Sequence, residues 1–278
     1  MGTLYIVGTP IGNLGDMTFR AVETLKSVDF ICAEDTRVTA KLLNHFEIKK
    51  PMIICDKYNE ADYGETICDR IIAGENAAIV TDAGMPCISD PGEKLVKLCA
   101  EKGICVAVVP GPTACVSALA VSGLDTSGFS FEGFLSVTNK QRISQLAAAA
   151  QKTNTLIFYE APHKLPKTLE DMLKYFGDRR ITVCRELTKL HEEIIRTTIS
   201  GAIEHFKQNA PRGEFVLVIE GSTETVHEEE QTIDDALQRV KALAENGMRP
   251  ADACREIAKV SPFSKGELYS AYLGENKK

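Results

Sequence analysis

Thr81-Asp82-Ala83-Gly84-Met85-Pro86-Cys87-Ile88-Ser89-Asp90-Pro91-Gly92 places two aspartates, two prolines and two glycines within twelve residues. Aspartates in such a loop can take a ribose hydroxyl or a cation. Glycines let backbone amides come close to a ligand, and prolines stiffen the stretch so that little entropy is lost on binding. Ordinary turns use the same residue types. Twelve residues nevertheless exceed the roughly two to six of a typical strand-to-helix connection, and a ligand loop is the better reading. Ala33-Glu34-Asp35-Thr36-Arg37 is a second candidate. Thr36 suits a helix N-cap and Asp35 suits the positive end of the helix dipole, which explains both without any ligand. Arg37 opposes that dipole and calls for a carboxylate or phosphate partner. The two readings of this stretch stay level. Glu160-Ala161-Pro162-His163-Lys164 and Arg185-Glu186-Leu187-Thr188-Lys189 gather further charged groups, and Pro110-Gly111-Pro112-Thr113-Ala114 opens a helix with small residues that suit a nucleoside lying on backbone. A lone histidine such as His163 is equally at home on a solvated surface. What unites these stretches is that each follows an apolar run.

Those runs define the scaffold. Thr3 to Val7, Phe30 to Ala33, Met52 to Cys55, Ala77 to Val80 and Ile104 to Val109 read as strands. Helices predicted at Phe19 to Leu25, through Leu42, Leu43 and Phe46, at Glu65 to Ala73 and at Glu93 to Lys102 alternate with them, which predicts a parallel α/β domain. Loops at the carboxyl ends of such strands are where open sheets bind ligands. Gly8-Thr9-Pro10-Ile11-Gly12-Asn13-Leu14 follows the first strand but lacks GxGxxG, and Pro10 stands where that fingerprint needs a donating amide, so a bound dinucleotide is disfavoured. After a helix at Cys115 to Val121, Gly123 to Gly128 reads as a boundary. Alternation then resumes in strands at Ser130 to Leu135, Thr155 to Tyr159, Ile181 to Arg185, Ile194 to Ile199 and Phe215 to Ile219, with helices at Lys140 to Lys152 and Lys164 to Phe176. Ser222 to Gln231 reads as an acidic linker. Ile233 to Glu245, Pro250 to Val260 and Ser264 to Leu273 follow as three short helices, read as a small bundle rather than a helix-turn-helix because no basic stripe accompanies them. The domains expected are 1–114, 115–221 and 222–278.

A chain of 278 residues with 44% hydrophobic content and a net charge of −7 can bury a sizeable core but carries no broad basic surface. Residues 115–221 alone are slightly basic, with 13 basic against 12 acidic residues, so any nucleic acid must be met by a local patch. No apolar run reaches the length of a membrane span and no leader pattern opens the chain, which predicts a soluble, cytoplasmic protein. Nine cysteines without a CxxC pair read as reduced thiols, and the five histidines make no metal-ligand spacing with them.

Taken in order, the stretches at 8–14, 33–37, 82–92 and 110–114, together with Glu132-Gly133-Phe134-Leu135, Phe158-Tyr159-Glu160-Ala161-Pro162-His163 and Glu186-Leu187-Thr188-Lys189, resemble the small-subunit rRNA (cytidine-2′-O)-methyltransferase I family of the tetrapyrrole methylase superfamily. The departures are Thr81 where the family often has Ser, Ser136 where it often has Pro, and Lys164 where Arg is common. The resemblance implies two α/β domains of the tetrapyrrole methylase (class III methyltransferase) type with a small C-terminal helical bundle. It implies S-adenosylmethionine folded into the cleft between the domains, a homodimer, and methylation of a cytidine 2′-oxygen in small-subunit rRNA or the assembled subunit, near the decoding centre. On the superfamily pattern Pro10, Asp82, Gly84, Met85, Ile88, Thr113, Ala114 and Glu160 belong to the cofactor pocket. Asp35, Arg37, Asp90, His163 and Lys189 then face the RNA as candidates for positioning and proton removal. A methylase of corrin or porphyrin precursors and a diphthine synthase share the fold but differ in the first loop. A non-catalytic RNA-binding module is the remaining alternative.

Overall fold

The computed structural model describes residues 1–56, 60–223, 233–245, 248–258, 261 and 263–275. Two compact units emerge, Met1–Ser222 and Thr223–Lys278. Strands β1 (Thr3–Val7), β2 (Phe30–Ala33), β3 (Met52–Ile54), β4 (Ala77–Val80) and β5 (Cys105–Val109) form one sheet in the order β3-β2-β4-β1-β5, with every neighbouring pair parallel. Parallel neighbours need crossovers. Helices α1 (Phe19–Ser27), α2 (Thr36–His45), α3 (Glu60–Ile72) and α4 (Glu93–Glu101) supply them.

Both faces of this sheet are covered, which is why β2 and β4 are buried at every position and read as unbroken apolar runs. Phe30, Cys32, Ala77 and Ile79 face one core with Ile67 and Leu95, while Ile31, Ala33, Ala78 and Val80 face another with Leu25 and Leu43. The expected helix at Glu65 begins earlier, at Glu60. Thr36 is not the cap of α2. Asp35 is, its Oδ1 accepting from the Arg37 amide at 2.8 Å.

Helix α5 (Ala114–Ser122) leads into a second sheet of β6 (Phe129–Phe134), β7 (Thr155–Glu160), β8 (Arg180–Arg185), β9 (Glu193–Thr198) and β10 (Phe215–Ile219), ordered β6-β7-β10-β8-β9. Only β6 and β7 run parallel; the other neighbours are antiparallel. Helices α6 (Asn139–Ala150), α7 (Leu165–Phe176) and α8 (Ile199–Gln208) pack on one face around Phe158, Val183 and Leu217. The other face, with Ile157, Cys184 and Val216, is closed by Ala118 and Leu119 of α5 and by Ile11 of the first loop. Helix α8 was not read from the sequence. Ser200 and Gly201 near its start look like turn residues, yet Thr198 caps the helix by accepting from the Gly201 amide at 3.2 Å.

In the second unit α9 (Ile233–Glu245), α10 (Pro250–Ala258) and α11 (Lys265–Glu275) bury Val240, Ala253, Cys254, Ile257 and Leu268 together, forming the helical bundle. Ser264 and Glu267 make a reciprocal cap, with Ser264 Oγ accepting from the Glu267 amide and the Ser264 amide donating to Glu267 Oε2. The expected linker lies outside the described residues from residue 224 onward. None of the nine cysteines is in a disulfide. Among the described residues no helix is long and apolar enough to cross a membrane.

Candidate functional site

All five strands of the first sheet end at one edge, so the loops after β1, β2, β4 and β5 converge. Glycine decides how closely. Gly84 holds φ at +90° and exchanges two backbone bonds with Thr9, whose amide donates to Gly84 O at 2.9 Å and whose carbonyl accepts from the Gly84 amide at 3.2 Å. Buried Thr9 adds a hydroxyl bond to Thr81 O at 3.1 Å. A Cβ on Gly8 would lie 2.7 Å from the Cα of Gly111, so the first and last loops touch backbone to backbone. The central loop is also strained, since Cys87 and Ser89 have φ of 70° and 67° without being glycine.

The second sheet brings its own row of residues to the site. Glu160 at the end of β7 and Arg185 at the end of β8 both pair with Phe215 at the start of β10, so three strands present one edge although their directions differ. A bulge between Phe131 and Gly133 shifts the register of β6, so that Phe131 pairs with Ile157 and Phe134 with Tyr159. The extra residue puts both phenylalanines on the Tyr159 face, with ring centroids 4.9 and 5.5 Å from the tyrosine ring. Gly133, at φ +65°, lies against Ser89 of the central loop.

Between these parts lies a cavity of about 740 Å³, within the roughly 300–1,000 Å³ of small-molecule sites. The first half contributes Ile11, the central-loop residues Ala83, Gly84, Met85, Ile88, Ser89 and Asp90, and Thr113 to Val116 at the start of α5. The second half contributes Phe131, Phe134, Tyr159, Glu160, Cys184, Leu187, Glu214 and Val216, among others. The walls are mainly apolar and aromatic with a few polar groups. Thr113 occupies the N-cap position of α5, but its hydroxyl contacts Cys115 Sγ and accepts from no helix amide. The Tyr159 hydroxyl accepts from the Cys115 amide instead, at 3.1 Å. Burial, followed by the neighbouring Cys115 and Asp90, pushes the tyrosine pKa upward, so it stays a neutral phenol.

Gly84, Met85, Ile88, Thr113, Ala114, Glu160 and Asp90 therefore meet in one cavity. Pro10 sits between the Thr9 bridge and the lining residue Ile11 without lining the cavity itself. Asp82 points elsewhere, Oδ1 accepting from the Asp35 amide at 3.3 Å, and burial followed by the Glu34 charge raises its pKa. Asp35 and Arg37 form a fork of their own: Arg37 Nε and Nη2 donate to the Asp35 carboxylate at 3.0 and 2.6 Å, and the arginine is otherwise exposed. Of the two partners sequence allowed for Arg37, the carboxylate is present. Lys189 donates to Glu186 at 2.9 Å and to Glu214 at 3.0 Å; burial opposes its charge, but these two carboxylates push its pKa up and hold the ammonium between them. His163 is exposed and does not line the cavity.

Phe131, Tyr159, Cys115, Leu187 and Glu214 were not singled out as site residues from sequence. Most sit in or beside strands and look like core; only the strand-end position of Tyr159 beside Glu160 was a usable signal.

The site fits S-adenosylmethionine on its own geometry. Aromatic rings can face an adenine, Glu160 and Asp90 can accept from hydroxyl or ammonium donors, and the positive end of the α5 dipole suits a carboxylate.

Residues 3–203 match the family model of tetrapyrrole (corrin/porphyrin) methylases. A ribosomal RNA small subunit methyltransferase I from Synechocystis is 47% identical over 98% of both chains. One from Halalkalibacterium halodurans is 44% identical over 99% of this chain and 96% of its own. One from Thermotoga maritima is 48% identical over 80% of this chain and 99% of its own, so it is shorter by about the length of the helical unit. Among solved structures, a uroporphyrin-III C-methyltransferase from Thermus thermophilus superposes with a TM-score of 0.57 at 18% identity, covering 79% of this chain and 94% of that one, a likeness of fold alone.

Proposed function

The chain belongs to the tetrapyrrole methylase family, and from that premise we propose what its cavity does. It is an S-adenosylmethionine-dependent methyltransferase acting on ribosomal RNA. Its acceptor, on this proposal, is the ribose 2′-oxygen of a cytidine in small-subunit rRNA near the decoding centre, and its working form is a homodimer. The observation that carries the reading is one cavity lined by the family's motif residues in a chain 47% identical, end to end, to a small-subunit rRNA methyltransferase I.

Bound S-adenosylmethionine supplies an electrophilic methyl group on a sulfonium. The protein must hold it, bring the 2′-oxygen in line and receive the proton. Gly84, Met85, Ile88, Thr113, Ala114 and Glu160 hold the cofactor, with the Phe131, Phe134 and Tyr159 rings excluding water. Asp90 lines the cavity and is the carboxylate proposed to take the proton. A ribose hydroxyl is a poor acid, so the carboxylate would assist only late, once the oxygen has become acidic in the course of methyl transfer. Arg37, oriented by Asp35, meets an RNA phosphate, and His163 and Lys189 flank the RNA outside the cavity.

Small subunits from a strain lacking this protein, incubated with it and labelled cofactor, should yield 2′-O-methylcytidine on nucleoside mass spectrometry. Label on a base, or on a tetrapyrrole and not on RNA, overturns the reading.

A further inference from the structure

Among the described residues Glu160 is the only acidic or basic side chain in the buried set, at 4% exposure. Its neighbours fix it. Oε1 accepts from the Ala161 amide at 2.8 Å and Oε2 accepts from the Thr168 hydroxyl. Thr168, wholly buried on α7, in turn accepts from Arg142 Nη2 at 2.8 Å, and Arg142 Nε donates to Asp171 Oδ2 at 2.9 Å. A guanidinium can only donate, so the one hydroxyl proton of Thr168 has to point at Glu160. Every bond in the chain has a determined direction, and both carboxylate oxygens end as acceptors.

Neither Thr168 nor Arg142 lines the cavity. The string runs through a layer otherwise built of Leu146, Leu165, Leu169 and Met172, where apolar side chains would serve stability at least as well as a buried polar network. A polar network kept there needs another reason, and Glu160 at its end provides one.

We infer that Thr168 and Arg142 are positioning residues: they lock the Glu160 carboxylate in one orientation as an acceptor for a donor group of the cofactor, before the cofactor arrives. This rests on the cofactor reading given above. Pre-orientation matters because a carboxylate free to rotate would lose conformational freedom on binding, and that loss would weaken affinity.

A double-mutant cycle on S-adenosylmethionine affinity, measured by calorimetric titration with melting temperature recorded in parallel, tests it. Glu160→Gln and Thr168→Val should each weaken binding roughly tenfold, the scale of one charge-assisted hydrogen bond. Thr168→Ser, which restores the hydroxyl, should bind as the parent does. Thr168→Val added to Glu160→Gln should cost nothing further, because the residue it positions has already lost its charge. Additive losses, or a Thr168→Val protein that melts earlier while binding normally, overturn the inference and leave Thr168 a packing residue. If the parent chain binds but Glu160→Gln binds equally well, the inference fails and the cofactor reading stands. If the parent does not bind, both fail.

Discussion

The two sheets of the 1–222 unit reach the same cavity by different means. The parallel sheet contributes mostly backbone: Gly84 clamped to Thr9, Gly8 against Gly111, and a central loop with Cys87 and Ser89 in left-handed conformations. The mixed sheet contributes side chains, namely the Phe131, Phe134 and Tyr159 rings and the Glu160 carboxylate, carried on strands or at their ends. Parallel strands all end at one edge, so their loops crowd there and glycines are needed to let them approach. In the mixed sheet the rings stand on the neighbouring strands β6 and β7, where the β6 bulge turns Phe131 and Phe134 toward Tyr159, and the antiparallel pairing of β7 with β10 sets Glu160 beside Phe215 at the same edge. Backbone sites should fail through conformation, and side-chain sites through lost groups.

Gly84→Val should show the largest effect. A branched residue at φ +90° is strained, and its Cβ would press on Ile11 Cγ2 at 3.3 Å, so relief of the backbone strain is expected to loosen the bridge to Thr9. S-adenosylmethionine affinity should fall at least about tenfold. Gly103→Ala, also at a positive φ of 68° but with nothing within 4 Å, should cost stability and leave affinity alone. Equal losses of affinity in both variants would mean that strain anywhere loosens the site, and the contrast between the sheets would collapse. Next in size comes Tyr159→Phe, which keeps the ring and removes the acceptor of the Cys115 amide. An effect of about 1 kcal/mol on stability is expected, that of a lost helix cap, with affinity reduced severalfold. No change in thermal unfolding would show that the hydroxyl does not hold α5.

The same contrast decides what could be read from sequence. Backbone sites announce themselves, because Gly, Pro and Asp crowded into a long stretch after an apolar run exceed what a plain turn requires; Gly84, Met85, Ile88, Asp90, Thr113 and Ala114 were found that way or through the resemblance those residues carry. Phe131, Cys184 and Val216 were invisible, since a strand residue facing a cavity has the same chemistry as one facing a core. Phe134 reaches the cavity only through a bulge, which no alternation pattern foretells. The parallel character of the first sheet followed from strand–helix alternation, whereas α8 hid behind Ser200 and Gly201, whose turn-like types outweighed the apolar Ile199, Ala202 and Phe206 around them.

A smaller effect, confined to methylation, is expected from ending the chain after Ser222. The described residues that line the cavity all belong to Met1–Ser222, and the Thermotoga relative is nearly all accounted for by a match to 80% of this chain. Affinity for S-adenosylmethionine should be unchanged, while methylation of the small subunit should slow. Joint loss of both would make the helical unit part of the core fold.

Cofactor affinity should not respond at all to the Asp35–Arg37 fork, which lies outside the cavity on the parallel sheet yet works through side chains, and so bears hardest on the contrast. Arg37→Ala removes an exposed guanidinium proposed to meet a phosphate, and the slope of log affinity for RNA against log salt should become shallower by about one. Asp35→Asn leaves the guanidinium but loosens its aim, so RNA binding should weaken less and turnover at saturating RNA should change little. The Arg37 side-chain bonds, before any other cause, hold the Asp35 carboxyl down from its ordinary 3.8 to about 2. A group held so low makes a poor proton acceptor. It also fixes a sign: with the folded value depressed, the stabilising contribution is complete above the unfolded value and is lost as pH falls through about 2. The fork should therefore persist from neutral pH to pH 5, and the difference in salt slope between the parent and Arg37→Ala should not vary over that range. Filter-binding titrations at several salt concentrations and two pH values measure this. A hundredfold fall in turnover for Asp35→Asn with an unaltered salt slope for Arg37→Ala would instead make Asp35 the proton acceptor, and a loop of the parallel sheet would then supply chemistry as well as shape.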